Sequence, residues 1–252
     1  MTSNERGDTV WQSADLVNKF LSGVSGAIPL RSEQLDVMLR LISAHKWAER
    51  DQMRFLDIGC GDGILSAAVL SRFPSSHCVL LDFSESMLTA ARDKLTGQIK
   101  QPVFVLADYA DPHWVQDVQA YAPFDVIVSG FSIHHQPDDR KRRIYSEVFN
   151  LLHPGGLFVN LEHVASATHW GEMLFAQRMV DSLVEYHAAQ NSTLTRQQIW
   201  DQFYDRPDKA ANLLAPLDTQ CQWLREIGFA DVDCFFKIFE LAIFGGHKPD
   251  LL

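Results

Sequence analysis

The chain has 252 residues, of which 46% are hydrophobic and 21% charged, and this composition excludes a wholly disordered protein. Lysine and arginine number 22 against 32 aspartates and glutamates, and the resulting net charge of −10 argues against binding to nucleic acid or to an anionic membrane. At ~150 residues per domain, the length allows one large domain or one domain plus an appendage, and we expect a single domain over residues 1–252.

The cysteines and the start of the chain bear on the cellular compartment. Residues 1–10 are polar and lack the apolar stretch of a signal peptide, and no apolar run approaches the ~18 residues of a membrane span. We therefore expect a cytoplasmic protein that contacts no membrane. The cysteines are scattered without a C-x-x-C pair, which indicates neither a disulfide framework nor a zinc knuckle: Cys60, Cys78, Cys221 and Cys234.

The N-terminal part of the chain, residues 8–50, is predicted to be helical. Apolar side chains recur at helical spacing over residues 35–42. Glycines and a proline within residues 23–29 separate this helix from an earlier one at residues 16–21.

From residue 54 the pattern changes to short apolar runs with helical segments between them. The runs are near-continuous rather than alternating, which is typical of strands buried on both faces. They lie at residues 54–58, 77–83, 102–108, 124–131 and 155–162. Helical segments follow the first, second and fourth runs, at residues 64–72, 84–96 and 139–152. Such alternation predicts a parallel sheet with right-handed crossovers over residues 54–162.

Residues 163–216 interrupt this alternation and are predicted to form a helical insertion onto the sheet. An amphipathic helix is expected over residues 170–187, and a shorter helix over residues 197–203. Residues 217–252 then form a final helix, which Gly228 ends, and two strands that close the sheet as an antiparallel pair. The predicted fold class is α/β, with a doubly wound, mostly parallel seven-stranded sheet.

The segment from Phe55 to Gly63, FLDIGCGDG, follows the first predicted strand and opens a helix. Its alternating glycines let the backbone turn tightly and approach a ligand closely. The N-terminus of the helix adds unpaired N–H groups and positive partial charge. A plain structural turn is the alternative interpretation. A dinucleotide site is disfavoured because the G-x-G-x-x-G fingerprint requires a glycine where Ile64 stands.

The acid-x-Gly-x-Gly-x-Gly arrangement headed by Asp57 resembles the first motif of the class I S-adenosylmethionine-dependent methyltransferases of the small-molecule type. Further motifs follow in the family's order over residues 54–162. The resemblance implies a Rossmann-like fold and S-adenosyl-L-methionine as the cofactor. In this family the first loop passes the amino-acid part of the cofactor, which implies contacts from these residues: Asp57, Gly59, Cys60, Gly61 and Gly63.

The end of the second strand carries the ribose position that the resemblance implies. Asp82 stands nineteen residues beyond Gly63, where a carboxylate accepts hydrogen bonds from both ribose hydroxyls. The alternative is that Asp82 caps the following helix, a role for which Ser84 competes. Phe83 and Met87 are then placed to pack against the adenine.

The ends of the third and fourth strands carry the remaining family positions. The resemblance implies that Asp108 accepts from the adenine amino group, that the backbone N–H of Tyr109 meets a ring nitrogen, and that Ser129 lies near the methionine part of the cofactor. His134 follows the fourth strand, near where the methyl group should point, and is the candidate general base. The alternative is a structural histidine in the loop.

Candidate substrate contacts lie after the fifth strand. Glu162 and His163 end that strand on the same edge of the sheet as the cofactor motifs, while Trp170 and Tyr204 are candidates to shape an acceptor pocket. The alternatives are polar residues at a wet cleft and aromatic residues of the core. No metal is predicted, although three histidines are an alternative set of ligands: His163, His169 and His187.

The predicted function is methyl transfer to a small-molecule acceptor by in-line displacement. A cofactor-binding scaffold or regulator without transfer activity is one alternative. A methyltransferase acting on a macromolecule is another, disfavoured by the net charge and by the absence of an N-P-P-Y-like signature after the fourth strand.

Two segments, residues 8–30 and 163–216, are predicted to close as a lid over the methyl end of the cofactor. In an open parallel sheet, ligands bind outside the carboxyl ends of the strands, which is where the second segment begins. Neither segment is needed to complete the sheet, so each can move without unfolding it. The alternatives are a static helical layer and a homodimer interface.

Overall fold

The computed structural model describes residues 6–44, 52–98 and 100–250, and within them the chain forms a seven-stranded sheet in the order β3-β2-β1-β4-β5-β7-β6. The strands are β1 (Arg54–Ile58), β2 (His77–Asp82), β3 (Val103–Leu106), β4 (Phe124–Gly130), β5 (Leu152–His163), β6 (Ala230–Ile238) and β7 (Leu241–His247). Residues 45–50, predicted as helical, and the polar residues 1–5 lie outside the described parts.

The register of the sheet confirms the predicted architecture. β1 pairs in parallel with both β2 and β4, β2 with β3, and β4 with β5. β7 runs antiparallel to β5 on one side and to β6 on the other. The closing antiparallel pair is therefore present, and β7 is the strand whose direction is reversed relative to the other six.

Helices cover both faces of this sheet. Their bounds are α1 (Ala14–Gly23), α2 (Arg31–Ser43), α3 (Ile64–Arg72), α4 (Glu85–Lys94), α5 (Trp114–Val118), α6 (Asp138–Leu151), α7 (His169–Ala189), α8 (Arg196–Ile199) and α9 (Leu217–Ile227). Shorter 3₁₀ turns lie at Gly7–Gln12, Ser25–Ala27, Gln119–Tyr121, Ile133–His135 and Pro207–Ala211, and a π-helical turn at Trp200–Tyr204 continues α8.

Local sequence signals account for several helix ends. The Ser84 hydroxyl accepts from the backbone N–H of Met87 and caps α4, as expected of a serine at this position. Thr195 and Gln198 form a reciprocal capping box at the start of α8. Gly228 ends α9 at φ 116°, a left-handed conformation that glycine adopts without a Cβ clash.

Two features differ from the sequence prediction. The short helix α5 lies between β3 and β4, where no helix was predicted; only five residues long, it is too short for a clear helical period. β5 begins at Leu152, before the run at residues 155–162 that predicted this strand, and so includes the Pro154-Gly155-Gly156 segment, where the sequence favours a turn. That segment is instead a bulge, because Phe124 pairs with Leu152 and regular pairing resumes between Val126 and Leu157.

The core divides into two large clusters, one on each face of the sheet. Buried side chains of α6 and α9 pack on one face, and those of α2, α3 and α4 pack on the other. Both faces of the central strands are therefore covered, which explains why their sequences read as near-continuous apolar runs.

A third, smaller cluster lies away from the sheet and joins the two segments that were predicted to form a lid. Val24 and Ala27 from the N-terminal segment pack against Leu183 of α7 and Ile199 of α8. A hydrogen bond also joins the two segments, because the His187 imidazole Nε2 donates to the Gly23 carbonyl at 3.1 Å. The two segments, residues 8–30 and 163–216, thus pack together, and we call them the cover. Of the cover, only His163 belongs to a strand of the sheet, as the last residue of β5. Among the described residues, no helix is both long and apolar enough to cross a bilayer.

Candidate cofactor-binding and active site

A cavity of about 800 Å³ lies between the carboxyl ends of β1, β2 and β4 and the cover. The strand order reverses between β1 and β4, and such switch points are where ligands bind in open α/β sheets. The volume falls within the ~300–1,000 Å³ range of small-molecule sites. Ten of the sequence-predicted site residues line this cavity: Gly59, Cys60, Gly61, Asp82, Phe83, Met87, Tyr109, His134, His163 and Tyr204.

At three positions of the glycine loop the backbone has a left-handed conformation, which glycine adopts more easily than any other residue. Gly59, Gly61 and Gly63 have φ values of 61°, 54° and 75°. A Cβ at Gly59 would lie 1.8 Å from the Ser132 hydroxyl oxygen, so this position is closed by packing. A Cβ at Gly61 would have Met87 Sδ as its nearest neighbour, at 3.9 Å, so this position is open. The loop therefore presents bare backbone to the cavity at Gly61.

Asp57 supports the loop from beneath and does not line the cavity. Its Oδ2 accepts from the Ser66 hydroxyl at 2.7 Å and from the Ser66 backbone N–H at 3.2 Å, which ties β1 to α3. The side chain is fully buried, and no described residue donates a hydrogen bond to its Oδ1. Burial raises the pKa of Asp57 to about 7. Asp57 therefore has a structural role beneath the glycine loop, and the loop rather than Asp57 forms the cavity wall.

Asp82 is the acidic residue that the second strand delivers to the cavity wall. Its Oδ2 accepts from the Gly61 N–H at 2.8 Å and its Oδ1 from the Ser84 N–H at 2.9 Å. Burial raises its pKa to about 6, against the opposing effect of these hydrogen bonds. Ser84 and not Asp82 caps α4, since the Ser84 hydroxyl accepts from the Met87 N–H, while Asp82 binds the backbone just before the helix. Each carboxylate oxygen keeps further accepting capacity toward the cavity.

Asp108 has a different environment from the one that the sequence predicts for an adenine contact. Arg6 forms a two-pronged ion pair with it, with Nη1–Oδ2 at 2.6 Å and Nη2–Oδ1 at 3.2 Å. The same guanidinium also binds Asp8, at 2.8 Å. Asp108 does not line the cavity. Its ion pair with Arg6 instead connects the N-terminal segment to the end of β3.

The comparisons with known proteins agree with this geometry. The profile of a family described as "Methyltransferase domain" matches residues 55–156. Malonyl-[acyl-carrier protein] O-methyltransferase 1 of Ilyobacter polytropus is 34% identical over 110 residues, which are 42% of this chain and 37% of that protein. Demethylmenaquinone methyltransferase of Clavibacter sepedonicus is 28% identical over 183 residues, which are 71% of this chain and 66% of that protein.

A solved structure extends the likeness to the whole fold. Human N-acetylserotonin methyltransferase in complex with S-adenosylmethionine superposes with a TM-score of 0.55 at 13% identity, over 99% of this chain and 60% of that one. The profile covers β1 to the start of β5, which contain the glycine loop and Asp82. Residues 55–156 match a methyltransferase domain, and the matches together support a class I S-adenosylmethionine-dependent methyltransferase. The chain spans between about a third and two thirds of the curated relatives that it matches.

The methyltransferase domain offers a set of groups that fits the family's cofactor, S-adenosylmethionine. The open position at Gly61 and the carboxylate of Asp82 lie on one wall of the cavity. Phe83 and Met87 add apolar surface beside them. A carboxylate that faces a ligand site suits a sugar diol, and bare backbone N–H groups at a helix start suit a carboxylate or other polar end.

Ser129 lies inside the sheet rather than on the cavity wall. Its hydroxyl donates to the Ile58 carbonyl at 2.9 Å, and the side chain is fully buried. The neighbouring residues that do reach the cavity from the end of β4 are Gly130, Phe131 and Ser132. Tyr109 donates its hydroxyl to the Ser132 carbonyl at 2.8 Å, which links the ends of β3 and β4.

His134 forms a buried pair with Glu162, which the sequence did not predict. Its Nδ1 lies 2.6 Å from Glu162 Oε1, and the His163 backbone N–H donates to the same oxygen at 2.9 Å. Burial raises the pKa of Glu162 to about 7 and lowers the pKa of His134, so burial favours the neutral form of each group. His134 lines the cavity and Glu162 lies behind it.

The three histidines considered as metal ligands do not converge. His163 Nε2 lies 2.8 Å from Glu240, His169 is exposed and paired with Glu172, and His187 binds the N-terminal segment. Across the described residues, no group of three or more His, Cys, Asp and Glu side chains is arranged to hold a metal ion.

Tyr204 lines the cavity, whereas Trp170 does not. Trp170 is 69% exposed near the start of α7 and contributes nothing to the cavity wall. The Tyr204 ring lies 3.4 Å from the Lys209 ammonium, and burial raises the pKa of Tyr204 to about 12. Other aromatic and sulfur-containing side chains complete this end of the cavity: Trp11, Phe20, Met173, Phe175, Met179, Trp200 and Phe203.

Several residues that sequence reasoning missed also reach the site. Arg31 and Asp8 come from the N-terminal segment, which carries no motif, and Glu240 comes from the turn between β6 and β7. Asp8 is buried and accepts from the Gln136 side-chain amide at 2.7 Å. The only available signal was the presence of charged residues in otherwise apolar helical segments, which does not distinguish a site from a solvated face.

Proposed function

We propose that this methyltransferase domain transfers a methyl group from S-adenosylmethionine to a small-molecule acceptor held under the cover. The observation that carries the proposal is the shared cavity, which Gly61 and Asp82 line from the sheet and residues 8–30 and 163–216 line from the cover. One cavity therefore adjoins both the cofactor groups and a largely apolar region under the cover.

We assign the cofactor contacts within this cavity from the residues on its wall. Asp82 binds the ribose hydroxyls, Phe83 and Met87 pack on the adenine, and Gly59 to Gly61 face the amino-acid part. S-adenosylmethionine supplies a methyl group on a positively charged sulfur, which is an activated leaving group. Asp108 keeps its predicted contact with the adenine amino group only if its ion pair with Arg6 rearranges.

The chain's own contribution is alignment and exclusion of water. Orienting two reactants for in-line displacement is worth ~7–11 kcal/mol. The cover provides the apolar walls that exclude water, and its contacts with the sheet edge hold it there: the His134 carbonyl accepts from the Leu213 N–H at 2.9 Å. Closure of such segments is a common way to protect a reactive centre.

His134 is the group we propose for proton transfer. Glu162 holds its Nδ1 and so fixes the orientation of the ring, while the low pKa of His134 keeps the imidazole neutral and able to accept a proton. Asn212 also hydrogen-bonds the His134 side chain, from the cavity wall. An acceptor hydroxyl or carboxyl would replace Asn212 as the partner of that ring.

The acceptor end of the cavity favours an apolar molecule with an anionic or hydrogen-bond-accepting group. Aromatic and methionine side chains supply much of the apolar surface of the wall. Arg206 binds Asp208 through Nη2 at 2.8 Å, while its buried Nε and Nη1 meet no acceptor in the part of the chain that the structure describes. Lys209 adds a second cationic group. The names of the relatives above give malonyl-[acyl-carrier protein] and demethylmenaquinone as their acceptors, and an acceptor of either apolar or acidic character suits this wall.

Two measurements test the proposal. Calorimetric titration is expected to show binding of S-adenosylmethionine and none of NAD. Incubation with labelled S-adenosylmethionine and a metabolite extract is expected to label a low-molecular-weight product, which a His134→Ala variant yields far more slowly. Binding without any label transfer would favour the scaffold alternative, whereas label on protein or RNA would favour a macromolecular acceptor. NAD binding in place of S-adenosylmethionine would overturn the proposal.

The four cysteines are free thiols, in keeping with the predicted cytoplasmic location.

A further inference from the structure

Arg206 is a cation of the cover whose hydrogen-bonding capacity is largely unused. It lines the cavity and directly precedes the 3₁₀ turn Pro207–Ala211. Its side chain is 11% exposed, and Nη2 donates to Asp208 at 2.8 Å. A guanidinium has five N–H donors, and here the buried Nε and Nη1 meet no acceptor among the residues that the structure describes. Because buried donors without an acceptor are costly, this position suits a ligand that brings acceptor oxygens.

The acids at this end of the cavity have partners of their own. Asp208 is buried and is held by the Arg206 guanidinium, so it fixes the orientation of that group. Glu240 and Glu172 each pair with a histidine, at 2.8 and 3.2 Å. Lys209 adds a second cation to the same wall. The unused donors of Arg206 therefore favour an anionic group that comes from the ligand.

Arg206 and the proposed proton acceptor His134 adjoin opposite ends of the 3₁₀ turn. Arg206 precedes the turn, and Asn212, which follows it, hydrogen-bonds the His134 side chain. At ~2 Å per residue, the backbone from Arg206 to Asn212 spans ~12 Å. Trp200 and Phe203 add apolar wall to the same cavity. One elongated acceptor can thus present different groups to the two ends of the turn.

We propose that the acceptor is an apolar carboxylic acid whose carboxylate Arg206 binds, and that the methyl group goes to a hydroxyl or amine elsewhere on the same molecule. The inference rests on the proposed function and narrows its acceptor to this class. The planar guanidinium matches a carboxylate better than a lysine does. The acceptor oxygen or nitrogen forms the new bond to the methyl carbon, while the carbon–sulfur bond breaks and its electron pair stays on sulfur. The proton of the attacking group passes to His134, and the carboxylate is unchanged.

Charge fractionation of a metabolite extract tests the acceptor class with the wild-type protein alone. The extract is separated on an anion-exchange resin at about pH 8, and each fraction is incubated with methyl-labelled S-adenosylmethionine. We expect label only from the retained fraction, in a product that the same resin retains at about pH 8 and releases at about pH 2, where carboxylates but not phosphate or sulfate esters are neutral. The label should also resist mild alkali, which would release methanol from a methyl ester.

Variants of Arg206 test the residue itself. Arg206→Met is expected to slow labelling ~10–150-fold at a limiting concentration of the retained fraction, the range of a hydrogen bond to a charged group, and far less at saturation. Its affinity for S-adenosylmethionine, measured by calorimetric titration, should stay within ~2-fold of the wild type, because the contact is to the acceptor. Arg206→Lys keeps the charge without the planar fork and is expected to restore part of the rate.

Arg196→Met is the matched control, since Arg196 lies in the same insertion, is exposed and pairs with Asp181. It is expected to label the acceptor at the wild-type rate. Thermal unfolding without ligand checks each fold, and Arg206→Gln replaces Arg206→Met if the latter does not fold.

The outcomes separate this inference from the proposed function. Label from the unretained fraction, a product that stays on the resin at about pH 2, or labelled methanol after alkali would overturn the inference and leave methyl transfer intact. A folded Arg206→Met that labels at the wild-type rate, or that loses affinity for S-adenosylmethionine in the same proportion as rate, would overturn the role of Arg206. No label from either fraction would overturn the proposed function and, with it, this inference.

Discussion

At the scale of single residues, we expect the buried carboxylate of Asp82 to contribute directly to the affinity for S-adenosylmethionine. Replacing it with alanine is expected to weaken S-adenosylmethionine binding by about 1.5–3 kcal/mol, the scale of hydrogen bonds to a charged group. The affinity of the wild type is expected to fall below about pH 6, because the protonated carboxyl accepts fewer hydrogen bonds. Calorimetric titration over a pH series measures both effects.

Asp93→Ala is the control for this experiment, because Asp93 is an exposed acid on α4, the helix that follows Asp82. Its affinity for S-adenosylmethionine should equal that of the wild type. An Asp82→Ala variant that folds and binds with undiminished affinity would remove Asp82 from the ribose site.

Asp57 makes the stability of the protein depend on pH. Its pKa is about 7 in the native state and ~3.9 in an unfolded chain, so between these values the native state binds more protons. The stabilisation from this group is fully present below about pH 4 and is lost as the pH rises to 7, at up to ~1.4 kcal/mol per pH unit. Glu162 and Asp82 act in the same direction, whereas the lowered pKa of His134 acts in the opposite one.

Asp57→Asn is therefore expected to flatten the pH dependence of the free energy of unfolding between pH 4 and 7, since the amide retains an acceptor for Ser66 and cannot ionise. Denaturant titrations at several pH values measure the slope. The exposed Asp139→Asn should leave the slope as in the wild type. Identical slopes for Asp57→Asn and the wild type would contradict the raised pKa.

At the scale of elements, the contact between α1 and the π-helical turn after α8 holds the cover together. A Cβ at Gly23 would lie 2.3 Å from Cε1 of Phe203, so the two elements approach closely only because glycine stands there. Gly23→Ala is expected to destabilise the cover by about 1–3 kcal/mol through overpacking. It should also displace Phe203 from the cavity wall and weaken ligand binding.

Thermal unfolding and hydrogen exchange of α1 measure this effect. In a Phe203→Ala background the added methyl group finds space, so Gly23→Ala should cost little there, and the difference between the two backgrounds gives the coupling energy. An equal cost in both backgrounds would show that the strain lies elsewhere.

At the scale of the whole molecule, the sheet and the cover are distinct packing units. Every strand lies within residues 54–163 or 230–247, and the cover has its own small cluster of buried side chains. Segments with few buried apolar contacts open more easily than a core. We expect S-adenosylmethionine or its demethylated product to increase amide protection in residues 8–30 and 163–216, because the ligand binds against both. Hydrogen exchange with and without ligand measures this, and protection confined to the glycine loop and strand ends would refute the lid.

The sequence by itself determined the strands of the sheet, most of its helices and the resemblance to the methyltransferases. Near-continuous apolar runs specify buried parallel strands within windows of five to eight residues, and the turn from Gly59 to Gly63 is specified by the conformations that glycine allows. These signals are local, so they are readable without knowing what packs against them. The same holds for the Ser84 cap and for Gly228 at the end of α9.

Only the tertiary structure decided which side chains meet across the cavity. Glu162 reaches His134 from a neighbouring strand, and Asp108 pairs with Arg6 over 102 positions of sequence. Trp170 lies on the outer face of its helix, although its aromatic character suggested a pocket residue. Arg31 belongs to no motif, and only the packing of α2 beside the glycine loop shows that its buried Nε and Nη1 meet no acceptor among the described residues. Such contacts depend on how the cover packs on the sheet. The sequence of the cover shows a helical period, which specifies helices but not the residues that they contact.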